Sequence, residues 1–124
     1  MSVSREYVTF LLDQLAPLGA VDTRRMFGCV ALFQAGRMFA LVDGHAQVYI
    51  KADAQNRELF IAQGFLPFTY LTTRRGGGQQ AVALGYYHIS EELVEDSAEF
   101  LRWAREGLAA ARRAPEKKTR KTSR

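Results

Sequence analysis

The sequence predicts an α+β domain of two layers, an antiparallel five-stranded sheet with helices mainly on one face, in the order α-β-β-β-α-β-β-α. Three observations predict it. The apolar period is helical at both ends of the chain and alternates between them. Turn dipeptides, Ala35-Gly36 and Asp43-Gly44, cut the alternating stretch into hairpin-sized pieces. The 124 residues, 48% of them apolar, suit one globular domain.

The first helix runs from Ser4 to Leu18, where Val8, Leu11, Leu12, Leu15 and Leu18 fall at three- and four-residue spacing and form one apolar face. Ser4 is its N-cap, Val3 is placed to pack on Val8, and Pro17 with Gly19 stops it. Met26–Gln34 reads as a strand apolar on both faces, hence internal to the sheet, with Gly28 marking a bulge or a close backbone approach. Met38–Val42 and Gln47–Lys51 follow as a hairpin about Asp43-Gly44, a type I′ signal. In the second of these, Val48 and Ile50 alternate with Gln47, Tyr49 and Lys51, so one face should be wetter. Asp53 is placed to cap a short helix to Gln63 with Leu59 and Phe60 turned inward, Gly64 as its positive-φ stop and Phe65 as the apolar contact behind it. Phe68–Thr73 and Ala81–Tyr87 form a second hairpin around Arg74, Arg75 and three glycines. Ser90-Glu91-Glu92 suits a first helical turn. Asp96-Ser97-Ala98-Glu99 opens a main helix from about Ser97 to Arg113, with Phe100, Leu101, Ala104, Leu108 and Ala111 as its stripe.

Charge is unevenly placed. Residues 112–124 carry Arg112, Arg113, Lys117, Lys118, Arg120, Lys121 and Arg124 against Glu116 alone, a net of +6; with +4 for the whole chain, residues 1–111 carry −2. The domain is therefore expected over residues 1–113, and 114–124 as a disordered basic tail, since nothing apolar follows Ala114 to offset the entropy of ordering it. Such a tail either solubilises the protein or binds phosphates, and Arg24, Arg25, Arg74, Arg75, Arg112, Arg113, Lys117, Lys118, Arg120 and Lys121 are the candidate nucleic-acid contacts.

The chemistry of catalysis finds little to stand on. Cys29 lacks an evident base among His45 and His88 and reads as a small buried hydrophobe; alone it forms neither a disulfide nor a thiolate zinc site. The two histidines lie on separate elements without ligand spacing. Glu91, Glu92, Glu95, Asp96 and Glu99 open a helix, where the dipole favours them. Gly76-Gly77-Gly78 lacks the strand-to-helix context and Lys-Ser/Thr ending of a P-loop. Apolar runs such as Cys29–Phe33 fall far short of the roughly 20 residues of a membrane span, and Arg5, Glu6 and Asp13 break any export signal. The expectation is a cytoplasmic protein that is not an enzyme, needs no cofactor or metal and touches no membrane. Trp103, at the edge of the last helix's stripe, either seals the sheet or enters an interface. A sheet with helices on one face leaves the other to be covered, for which a homodimer is the simplest expectation.

Five stretches carry a resemblance: Arg24-Arg25-Met26-Phe27-Gly28, Gly36-Arg37-Met38-Phe39-Ala40-Leu41-Val42, Tyr49-Ile50-Lys51, Pro67-Phe68-Thr69-Tyr70 and Leu101-Arg102-Trp103-Ala104. As an ordered set spanning about Tyr7 to Arg113, they resemble the N-terminal domain of the TfoX/Sxy competence regulators. The resemblance implies a secretion-chaperone-like two-layer fold and a setting in bacterial transcription control, with no known reaction, cofactor or catalytic residue. Full-length members carry a second domain resembling a helix-hairpin-helix module, in place of which this sequence has its basic tail, and they usually have glycine where Cys29 stands. The function so implied is the binding of a protein partner of unknown identity. The alternative is nucleic-acid binding through the tail and exposed arginines, and an enzyme of unknown chemistry ranks last.

Overall fold

A computed structural model describes residues 3–26, 28–73 and 76–115. Helix α1 (Arg5–Leu15) begins where the Ser4 hydroxyl accepts the Tyr7 N–H, 3.1 Å away, and passes into a single 3₁₀ turn, Ala16–Leu18, at Pro17. Then come β1 (Asp22–Met26), β2 (Cys29–Gln34), β3 (Arg37–Val42), β4 (Val48–Lys51), α2 (Arg57–Ala62), β5 (Pro67–Thr73), β6 (Gln79–Ile89), α3 (Glu91–Glu95) and α4 (Ser97–Arg113). The six strands form one antiparallel sheet in the order β1-β2-β3-β4-β6-β5, one more strand than the five expected.

The extra strand is β1. Met26 ends it, and Gly28, at φ 78°, is a turn residue between β1 and β2 rather than the strand glycine expected. Four of β1's five residues are exposed, so it has no alternation for a periodicity argument to find. The β2–β3 turn matches expectation, with Ala35 at φ 54° and Gly36 at φ 78°, the pair of positive values a type I′ turn requires. The β3–β4 connection does not. There the positive φ falls on Ala46 (62°), while the Asp43 carboxylate accepts the N–H groups of His45 and Gln47 at 2.9 and 3.0 Å. The aspartate side chain organises this loop in place of a glycine.

The main core lies between the sheet and the helices. Leu11 and Leu15 of α1, Phe60 of α2, Val94 of α3 and Phe100, Trp103, Ala104, Leu108 and Ala111 of α4 close over Val30, Leu32, Phe39, Val42, Val48, Ile50, Tyr87 and Ile89. Pairing skips from Leu32↔Ala40 to Phe33↔Met38, which leaves Phe39 as a bulged residue and turns both Phe39 and Ala40 into that core. Two features hold α4 unusually close. Gly107 has no side chain where an ideal Cβ would stand 2.7 Å from Ile50 Cγ2 and 2.8 Å from the Phe39 carbonyl oxygen. Asn56, buried, donates from Nδ2 to the Glu106 carbonyl (3.0 Å) and accepts the Asp53 N–H on Oδ1 (2.8 Å).

The opposite sheet face has its own cluster, Leu41, Tyr49 and Tyr86, against which Cys29, Met38 and Phe68 pack. Tyr49 is buried here although its strand position was expected to be wetter. Its ring meets Phe68 edge-on at 4.8 Å, and its hydroxyl shares one hydrogen between Asp43 Oδ2 (3.2 Å) and Gln47 Oε1 (3.1 Å). Tyr86 crosses the face to reach the Met38 carbonyl at 3.4 Å. Among the described residues, Leu41, Tyr49 and Tyr86 of this second face are thus buried by side chains of the chain itself.

Helix α2 also departs from expectation. Asp53 caps no helix. Its carboxylate accepts the Gln55 and Asn56 N–H groups in a preceding turn and pairs with Arg113 at 2.7 Å, so α2 starts only at Arg57. In so short a helix only Phe60 reaches the core; Leu59, expected inward, is 46% exposed. The helix end behaves as read, with Gly64 at φ 81°, Gly64 N–H on the Ile61 carbonyl and Phe65 N–H on that of Phe60.

Candidate functional site

The candidate residues separate into three places. At the β2–β3 end of the sheet, the Arg24 guanidinium lies 4.9 Å over the Phe33 ring. Beside Phe33, Gln34 accepts from Arg112 on Oε1 and donates from Nε2 to the Leu18 carbonyl, both at 2.8 Å. Arg37, opposite Gln34 in register, donates to the carbonyls of Ala111 (3.1 Å) and Ala114 (2.7 Å) and so caps the C-terminus of α4. Arg24, in register with Ala31, stands on the Tyr49 side of the sheet, whereas Arg25, in register with the core residue Val30, reaches the Val3 carbonyl at 3.0 Å on the helix side, where Arg37 and Arg112 also lie. Arg113 is spent on Asp53, whose carboxyl that hydrogen bond, with the Asn56 and Gln55 amides, holds down at about 2 against the cost of burial. Arg74, Arg75, Lys117, Lys118, Arg120 and Lys121 lie outside the described residues, as does the expected tail from residue 116 onward.

Trp103, the candidate interface residue, is only 2% exposed. Its ring sits 5.0 Å from both Phe60 and Phe65, and the Arg102 guanidinium covers it at 4.9 Å. It is a core residue because Gly107, one turn on, lets this side of α4 come down on the sheet. The inward face of the helix therefore includes 103 and 107, which the expected stripe omitted.

The second place is a cavity of about 350 Å³ where α1, α3, the β3–β4 loop and the end of β6 meet. The fold brings His45 and His88 together on its wall with Tyr7, Ser90 and Glu91, a convergence their positions in the sequence do not reveal. The Tyr7 phenol is pushed up by burial, then by the charges of Glu91 and Glu95. Among the described residues no group of three or more His, Cys, Asp or Glu could hold a metal ion. The Ser90 Oγ accepts the Leu93 N–H at the start of α3, and the Asp96 carboxylate accepts the Glu99 N–H at the start of α4. Cys29, half-buried, has its thiol pushed up by burial and then by Asp43. That keeps it protonated at neutral pH, the reverse of what a nucleophile needs.

The third place was not anticipated. Leu59, Ile61 and Leu66 are exposed by 46%, 47% and 69%, all on α2 or the loop that follows it. They are the large apolar side chains that stand open among the described residues. Only their position on a helix too short to bury them distinguishes them, so apolar periodicity alone places them in the core.

Among the described residues no helix is long and apolar enough to cross a membrane. The chain is similar to Protein Sxy of Escherichia coli (strain K12), 32% identical over 111 residues that make up 89% of this chain and 49% of that protein, so it spans about half the length of this curated relative. The TfoX N-terminal domain matches residues 13–111, from within α1 to within α4 and across all six strands. The match takes in the whole sheet and most of α4, and the chain belongs to the TfoX N-terminal domain family.

Proposed function

We propose that this domain is a non-enzymatic binding module of bacterial transcription control, in the setting of competence regulation and in the cytoplasm, and that it works through contacts with a protein partner. Family membership and the likeness to Protein Sxy support the setting. The observation that carries the mode of action is the exposure of the apolar side chains Leu59, Ile61 and Leu66 on and just after α2. Among the described residues these are the large apolar side chains that stand open, and they offer apolar area for a partner to bury. At about 25 cal/mol per Å², covering three such side chains supplies several kcal/mol, enough to anchor a regulatory complex.

The test replaces all three with serine in the full chain and reads a reporter of the regulated genes in cells that lack the native protein. Each residue is exposed, so each change should move stability by about 0.5 kcal/mol or less, and the reporter should lose its response while the variant stays folded and abundant. A folded variant with a full response overturns the proposal. So does wild-type sedimentation at twice the 13.9 kDa chain mass that reverts to one chain mass in the variant, because the patch would then serve self-association.

A further inference from the structure

Strand β1 closes one edge of the sheet. Among the described residues β2 is the strand it pairs with, and four of its five residues are exposed. Two residues separate Met26 from its partner Cys29, and in a hairpin closed so tightly the flanking pair is the hydrogen-bonded one. Alternation then turns the N–H and C=O groups of Arg24 and Asp22 toward β2 and those of Thr23 and Arg25 outward, open to a further strand.

Charge on an edge strand ordinarily keeps a second strand away. Here the charges are of both signs. Asp22 and Arg24 stand two residues apart on the same side of the sheet, and Arg24 lies over the ring of Phe33, which is the partner of Asp22 in β2. Among the described residues the ion pairs are Glu99–Arg102 and Asp53–Arg113, and Asp22 and Arg24 belong to neither.

We propose that β1 is an interface strand whose occupant is β1 of a second copy of this chain, antiparallel to it and centred on Thr23. A two-fold axis perpendicular to the sheet keeps every side chain on its own side, so the residue on the axis fixes the register. Centring on Asp22, Arg24 or Arg25 sets that charge against its own copy. Centring on Thr23 sets Asp22 opposite the partner's Arg24, and Arg24 opposite the partner's Asp22, in the non-hydrogen-bonded positions where side chains approach most closely. Thr23 then meets its own copy and exchanges the outward N–H and C=O groups with it. The two six-stranded sheets run on as one. A ladder of about five pairs buries less than a standard interface, so the dimer assembles at high concentration. It lies on a different element from the apolar residues of α2 and does not depend on them.

Sedimentation equilibrium of the full chain over roughly 1 µM to 1 mM should show the mass rising from 13.9 kDa toward twice that value. Asp22→Arg and Arg24→Asp each set like charges against one another at two positions and should move the midpoint about tenfold or more to higher concentration. Mixed in equal amounts, these two variants regain opposite charges at both positions and should form a mixed dimer. The exchanged double variant, Asp22→Arg with Arg24→Asp, should dimerise like the parent. Thr23→Pro removes an outward N–H without costing the β1–β2 ladder a bond and should abolish the dimer. Both charged sites are exposed, and the melting midpoint of each variant checks that the fold persists. A parent that stays at one chain mass throughout overturns the proposal, as do folded single variants that dimerise like the parent or a mixture that stays at one chain mass. So does loss of the dimer when Leu59, Ile61 and Leu66 are replaced with serine, which would put the contact on α2.

Discussion

On its helix side the sheet meets Phe39, Ile50, Phe100 and Trp103 in a layer held by shape, where α4 comes so close that a single Cβ at position 107 has no room. On its other side Leu41 lies beneath Tyr49 and Tyr86, whose rings are buried and whose hydroxyls end on Asp43, Gln47 and the Met38 carbonyl. One face is sealed by a second layer of secondary structure; on the other, among the described residues, amphipathic side chains lie across Leu41. The difference teaches that tyrosines on a sheet face can supply both apolar cover and a polar edge.

The two mechanisms fail differently. Trp103→Ala empties the helix-side layer beside Phe60 and Phe65 and should cost about 3–5 kcal/mol in denaturant unfolding, the range for deleting a large aromatic from a core; a loss below 1 kcal/mol would mean that α4 does not depend on this packing. Gly107→Ala sharpens the same point. Alanine raises helix propensity by about 1 kcal/mol, but its methyl meets backbone at Phe39, and overpacking of about 1–3 kcal/mol should prevail, for a net loss near 1 kcal/mol. A more stable variant would show that the close approach is absent.

The tyrosine face gives the smallest effect and the one that depends on pH. Tyr49→Phe keeps the ring and removes the hydroxyl, so it should cost about 0.5–1.5 kcal/mol. Burial, reinforced by Asp43, pushes Tyr49 up to about 12, and burial alone does the same for Tyr86. Because the folded values exceed the ordinary value near 10, this stabilisation is complete below pH 10 and is lost as pH climbs through 12. Tyrosinate absorbance should show Tyr49 and Tyr86 ionising late, and one fewer such group in Tyr49→Phe. If every tyrosine ionised near pH 10 with the fold intact, the second face would be open and the contrast between the faces would disappear.

What could be read from the sequence was whatever rests on local signals. Helix α4 begins and ends as its caps announce, because Asp96 and the last-turn arginines act within one turn of themselves. The same holds for Ser4, Ser90 and Gly64. β1 escaped because an edge strand with polar residues on both sides carries no period, and its evidence is the pairing with β2. Leu59 was misplaced because two apolar neighbours on a short helix cannot both face inward, and Phe60 takes the place. The meeting of His45 with His88 on one cavity wall and the cap that Arg37 gives α4 are long-range events. No spacing in the chain encodes them.

The sheet order also bears on how the protein is made. β1 to β4 are a meander of neighbours, so each strand can pair as it leaves the ribosome. The other edge of β4 waits for β6, which follows a helix and the whole of β5, and the helix that shields Ile50 is made later still. Until then a nascent chain holds Val48, Tyr49 and Ile50 on an unpaired edge, open to any strand nearby. The interval between the synthesis of β4 and that of β6 is therefore when the growing chain is most exposed to aggregation.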